Sequence, residues 1–170
     1  MFQQTQATRK IAKLTKRIRC VSGGTSASKT VSILLWLIDR AQTYPKTLIS
    51  VVSETFPHLK RGAIRDFISI MQSHNFWQDK RWNKTDYIYT FGNGAIIEFF
   101  SADQPGKVRG PRRDILFINE ANNISYDIYT QLEVRTKNII WIDFNPVNEF
   151  WWYTEVAPNF EHDFLILTYK

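Results

Sequence analysis

Apolar residues in this chain fall into short continuous runs, separated by stretches with helical spacing. Residues 18–22 form a strand-like run that stops at Gly23-Gly24. Over residues 29–42, Val31, Leu34, Leu35 and Ile38 recur at i, i+3, i+4 and i+7, one face of a helix. TLISVV at 47–52 reads as a buried strand, and a second helix is expected after Pro57 with Ile64, Phe67, Ile68 and Met71 on its inner face. Residues 87–91 and 95–101 flank Gly92-Asn93-Gly94, which predicts a hairpin. Three further apolar runs, 115–118, 138–144 and 164–167, read as strands, with a helix expected over 126–135. Near-continuous apolar strands alternating with helices predict an α/β fold: a mainly parallel sheet flanked by helices, with the hairpin as an antiparallel addition.

Composition narrows the class. The chain has 170 residues, 44% hydrophobic and 22% charged, which excludes wholesale disorder and suits one domain. The single cysteine, Cys20, cannot form an internal disulfide. The longest apolar run, 33–38, is far short of the ~20 residues that span a bilayer, so no membrane association is expected. The first ten residues lack the apolar core of a signal peptide, which makes reducing cytosol the default compartment. A formal net charge of +6 leans toward a polyanionic partner. Part of that charge lies in a basic arm, residues 1–16, read either as a solvated face or as a nucleic-acid contact, with the main domain over 17–170.

The sharpest local signal is Gly23, Gly24, Thr25, Ser26, Ala27, Ser28, Lys29 and Thr30, between a predicted strand and a predicted helix. That is the context of a P-loop, in which small residues let successive amides curl around phosphate oxygens at a helix N-terminus. Lys29 would reach the β- and γ-phosphates, and the Thr30 hydroxyl would ligate Mg²⁺. Ser28 stands where the usual pattern has its second glycine. A small polar turn with no ligand is the other reading of these residues.

A second polar cluster ends an apolar strand, at Asn119-Glu120. In open α/β sheets ligands bind at this strand edge. Glu120 is placed to accept a proton from an attacking water, the general-base role, or else to cap a helix. Asn119 stands at the acid position associated with Mg²⁺; its amide oxygen can accept a hydrogen bond but carries no charge, so weakened Mg²⁺ affinity is expected.

GGTSASKT at 23–30, SADQPGKVRGPRRDILFINEANNI at 101–124 and IDFNPVNEFWW at 142–152 together resemble the large terminase subunit of tailed phages, over nearly the whole chain. The resemblance implies a RecA-like P-loop NTPase of the ASCE type that uses ATP and Mg²⁺ to drive double-stranded DNA into a procapsid. It implies a homo-oligomeric ring, with a portal protein and a small terminase subunit as partners, in the cytoplasm of the host cell. Lys29 and Thr30 match its Walker A pair, and Asn119 and Glu120 its Walker B residues. Asn145 matches the segment that senses γ-phosphate, with a turn-forming Asn before Pro as the alternative. Arg109 resembles a finger supplied to a neighbouring subunit's ATP, and Arg112 and Arg113 compete for that role. The chain ends at Lys170 with no nuclease domain, and no nuclease activity is expected of it. Two rivals stand beside this reading: a nucleotide-binding module that barely hydrolyses, and a basic DNA-binding or assembly domain with a vestigial P-loop.

Overall fold

The computed structural model describes residues 5–23, 28–146 and 148–167. Helix α1 (Gln6–Ala12) starts at Thr5, whose hydroxyl accepts from the Thr8 amide, and buries Ile11. It lies in the expected basic arm, so that segment contributes to the core. Strand β1 (Ile18–Gly23) leads to α2 (Ser28–Thr43), and β2 (Leu48–Ser53) to α3 (Phe56–Leu59). A π-helical turn, Lys60–Ile64, joins α3 to α4 (Arg65–Ser73), so the single helix expected after Pro57 is interrupted. Its inner face keeps the predicted period: Ile64, Phe67 and Met71 are buried. Strands β3 (Trp82–Asn83), β4 (Ile88–Thr90) and β5 (Ile96–Ser101) follow. Then come α5 (Pro105–Val108), β6 (Arg113–Ile118), α6 (Tyr126–Val134), β7 (Thr136–Phe144), a π-helical turn at Trp152–Val156, and β8 (His162–Leu167).

All eight strands join one sheet in the order β3-β4-β5-β2-β6-β7-β1-β8. The pairs β1 with β7 and β8, β2 with β5 and β6, and β6 with β7 are parallel, while β3-β4-β5 is the antiparallel addition. Strand side chains alternate between faces, so helices cover both. On one face Val21, Ile49, Val51, Phe117 and Trp141 pack with Ile33, Leu34 and Leu37 of α2 and Phe67 of α4. On the other, Cys20, Leu116, Ile118, Ile140 and Ile142 pack with Tyr129 and Leu132 of α6 and with Trp152 and Val156. Burying each such side chain stabilises by roughly 1.5–3 kcal/mol, and this double cover is why the strands read as unbroken apolar runs. Among the described residues no helix is long and apolar enough to cross a membrane. Because β1, β2, β6 and β7 run parallel, their carboxyl ends share one edge of the sheet.

Candidate functional site

That edge gathers the polar residues that terminate each strand. Lys29 and Thr30 lie in the first turn of α2, which follows β1. The Lys29 side chain is buried, and its Nζ donates to Asn145 Oδ1 at 2.6 Å, just past the end of β7. An ammonium has three donors, and among the described residues Asn145 is the one acceptor that this one meets. A buried ammonium in the first turn of a helix is the chemistry of an anion site. Gly24, Thr25, Ser26 and Ala27, and the side chain of Ser28, lie outside the described residues. Gly23 ends β1, where a Cβ would lie 2.8 Å from the Leu167 carbonyl oxygen, so packing against β8 requires glycine there.

Thr30 Oγ1 donates to Asp143 Oδ2 at 2.9 Å and sits 3.4 Å from Asn119 Oδ1. The single hydroxyl proton serves the nearer carboxylate, and the Asn119 oxygen lies at the outer limit of the same donor. Asn119 is fixed by its other end, whose Nδ2 donates to Ser53 Oγ at the tip of β2. The second oxygen of Asp143 accepts from the Glu120 amide at 2.7 Å. Burial pushes the Asp143 carboxyl from its ordinary 3.8 up to about 6, against the opposing pull of Lys29, the Glu120 amide and the Thr30 hydroxyl. Hydroxyl, amide oxygen and carboxylate form an all-oxygen set, the donors that Mg²⁺ takes, and the buried carboxylate is the charge such an ion would compensate.

Glu120 has left-handed backbone angles, φ 54° and ψ 57°, rare for a residue with a side chain. Its carboxylate caps no helix; instead Oε2 contacts His58 Nε2, from the short helix after β2. The π-helical turn that follows His58 backs onto the site, since a Cβ at Gly62 would lie 3.9 Å from Asn119 Nδ2.

The three arginines at and just before the start of β6 separate cleanly. Arg109 is exposed at the end of α5, and its Nε donates to Gln131 Oε1 at 3.0 Å. Arg112 is exposed too. Arg113 is 1% accessible: Nε donates to Ser50 Oγ at 2.9 Å and Nη1 to the Leu132 carbonyl at 3.1 Å. A guanidinium committed to the interior cannot reach a neighbouring subunit, so Arg113 is removed from the finger candidates.

The family model for the phage terminase large subunit matches residues 15–163. This chain belongs to that family. No curated protein sequence matches it. Among solved structures, the large terminase of a thermophilic bacteriophage superposes with a TM-score of 0.76 at 17% identity, over 90% of this chain and 40% of that one. A structure of the same thermophilic-phage terminase in complex with ATP-gamma-S gives 0.71 at 16%, over 91% and 40%. The ATPase domain of the Thermus phage P74-26 large terminase gives 0.70 at 16%, over 98% of this chain and 81% of that one. These likenesses establish the RecA-like terminase ATPase fold. The chain spans about two fifths of the length of the first of these terminases.

Two residues of this terminase site escape a reading of the sequence. Asp143 has a signal in hindsight: it is a lone carboxylate inside the apolar run NIIWIDF, where an unpaired charge needs a partner. It also changes the expectation raised by Asn119. The carboxylate missing from the end of β6 is present one strand over, hydrogen-bonded to the same threonine. His58 has no such signal, because its partner is 62 positions away.

Proposed function

We propose that this chain binds ATP with Mg²⁺ at the carboxyl edge of the sheet and hydrolyses it, as the ATPase portion of a terminase that drives double-stranded DNA into a procapsid. The observation that carries the reading is the convergence of Lys29, Thr30, Asn119, Glu120, Asp143 and Asn145 from three separate strand ends. Lys29 neutralises the phosphates, and Asn145, its partner here, exchanges that bond for a contact that reports γ-phosphate. Thr30 and Asn119 hold Mg²⁺ directly or through water, with Asp143 as the counter-charge behind Thr30; bound there, the ion supplies charge stabilisation on the phosphate oxygens. Glu120 takes a proton from the attacking water. Arg109, exposed on its turn, extends to the ATP of the next subunit in a homo-oligomeric ring. Duplex DNA, portal protein and small terminase subunit are the partners of the assembled motor, in the host cytoplasm.

Phosphate release and nucleotide binding test this together. Glu120→Gln should leave ATP binding intact and lower turnover by about 10²–10⁴-fold, the usual contribution of a general base. Lys29→Ala should lose saturable binding. Per-subunit turnover should rise with protein concentration, and Arg109→Ala should abolish that rise. A Glu120→Gln variant as active as the parent would overturn the assignment of the base. Binding without turnover in the parent would favour the hydrolytically weak module.

A further inference from the structure

We propose that His58 is a positioning residue for Glu120, holding its carboxylate on the β2 side of the site so that hydrolysis begins only when the contact is released. The proposal rests on Glu120 being the base of an ATPase.

The argument is one of place. The strand order across the site is β2-β6-β7-β1. Lys29 follows β1, Glu120 follows β6, and His58 follows β2. Seen from Glu120, the phosphate-binding lysine lies beyond β7, whereas His58 lies on the opposite side. A carboxylate in contact with His58 Nε2 is therefore turned away from the water it must deprotonate.

The backbone of Glu120 sits in the left-handed region with its amide donating to Asp143 Oδ1, and turning the carboxylate by side-chain rotation leaves that bond in place. What opposes that rotation is the imidazole. His58 is itself well anchored: its amide lies 3.4 Å from the capping hydroxyl of Thr55, and the next residue, Leu59, is fully buried. The two side chains stay partly exposed, His58 at 43% and Glu120 at 30%. Pairs this open are weak, so nucleotide binding can break the contact. Among the described residues Glu120 is the one partner of the imidazole ring.

Steady-state kinetics and ring resonances of the 170-residue chain test the proposal. His58→Ala should raise kcat about two- to five-fold at unchanged KM, the range that an exposed pair permits. His58→Gln, whose amide can still donate to the carboxylate, should return kcat to the parent value. In a Glu120→Gln background His58→Ala should change nothing. By NMR, the imidazole resonances of His58 should shift in Glu120→Gln, and also when ATP-γ-S and Mg²⁺ are added. That second shift should be absent in Lys29→Ala. An unchanged or lowered kcat in His58→Ala, a change confined to KM, or imidazole resonances indifferent to Glu120→Gln each overturn the proposal. A parent that turns over no ATP defeats the ATPase reading instead, and the resonances still report whether the contact exists.

Discussion

Two charged side chains are sealed into adjacent strands of this sheet, at opposite edges and with opposite fates. Arg113 opens β6 and is 1% accessible; Asp143, near the end of β7, is 0% accessible. Around Arg113 the partners come from the body of the fold, and burial still pulls the guanidinium below its ordinary value. Ser50 Oγ accepts from the guanidinium and donates to Glu98 Oε2 at 2.7 Å, the Leu132 carbonyl takes a second N–H, and the Phe100 ring lies 5.9 Å from the guanidinium carbon. Around Asp143 the partners belong to the candidate site itself. Its oxygens take a hydroxyl and an amide, with Lys29 near, yet desolvation still outweighs all three and the proton is held more tightly than usual. Equal burial therefore marks two kinds of site. Arg113 ties β2 to the end of α6 through Ser50 and Leu132, whereas Asp143 lies among the residues proposed to hold Mg²⁺.

The largest effect should come from breaking the network around Arg113. Arg113→Ala strips the guanidinium from Ser50 and the Leu132 carbonyl and leaves Glu98 without its cation. We expect a loss of about 3–5 kcal/mol, the usual consequence of opening a buried charged network. Arg109→Ala, four positions earlier and exposed, should stay within about 0.5 kcal/mol. Urea denaturation of both variants checks the pair. An Arg113→Ala variant as stable as the parent would mean that the network contributes nothing and that burial alone does not distinguish the arginines.

Legibility in the sequence follows the same division. Strands buried on both faces stand out as apolar runs, and the amphipathic face of α2 and the Gly-Asn-Gly turn are equally plain. Lys29, Thr30, Asn119 and Asn145 are recognisable because each sits at a strand end or a helix start, where chemistry is expected. Arg113 is not, since RGPRRD reads as a polar loop, and its burial depends on Ser50 and Leu132 arriving from elsewhere in the chain. The service of Asp143 to Thr30 depends likewise on β7 lying between β1 and β6. The π-helical turn at Lys60–Ile64 leaves no mark on the apolar period, because the buried face passes through it unbroken.

Asp143 should respond in the opposite sense. Below pH 3.8, the ordinary value for this carboxyl, Asp143 is protonated in both folded and unfolded chains and its burial costs nothing in charge. From there to about 6 the native state keeps a proton that the unfolded chain has released, so stability falls as pH rises. Above that window the full loss, at 1.36 kcal/mol per pH unit, is about 3 kcal/mol. Asp143→Asn should recover about that much in the metal-free protein at neutral pH and nothing at about pH 3, while weakening Mg²⁺ binding. Denaturation midpoints across pH, with Mg²⁺ titrated calorimetrically, measure both. A variant less stable than the parent at neutral pH would place Asp143 in the same class as Arg113.

A smaller effect asks how tightly the wall around Asp143 is built. Asn119, beside Asp143 at the site, has the π-helical turn behind its amide, and Gly62 is the residue that faces it. Among the described residues Gly94 is the glycine with positive φ, so the backbone of Gly62 accepts a side chain. The added methyl would meet Asn119 Nδ2 at 3.9 Å, ordinary van der Waals contact. Gly62→Ala should therefore stabilise the fold by about 0.5–1 kcal/mol, chiefly by restricting the unfolded chain. Nucleotide affinity should be unchanged, because no group that meets phosphate moves. Thermal denaturation with and without ATP-γ-S reads both quantities. Destabilisation would mean that the turn presses on Asn119 already, and that the rim of the site is packed as tightly as the network around Arg113. Stabilisation with intact binding would mean slack at that rim, where the network around Arg113 has none.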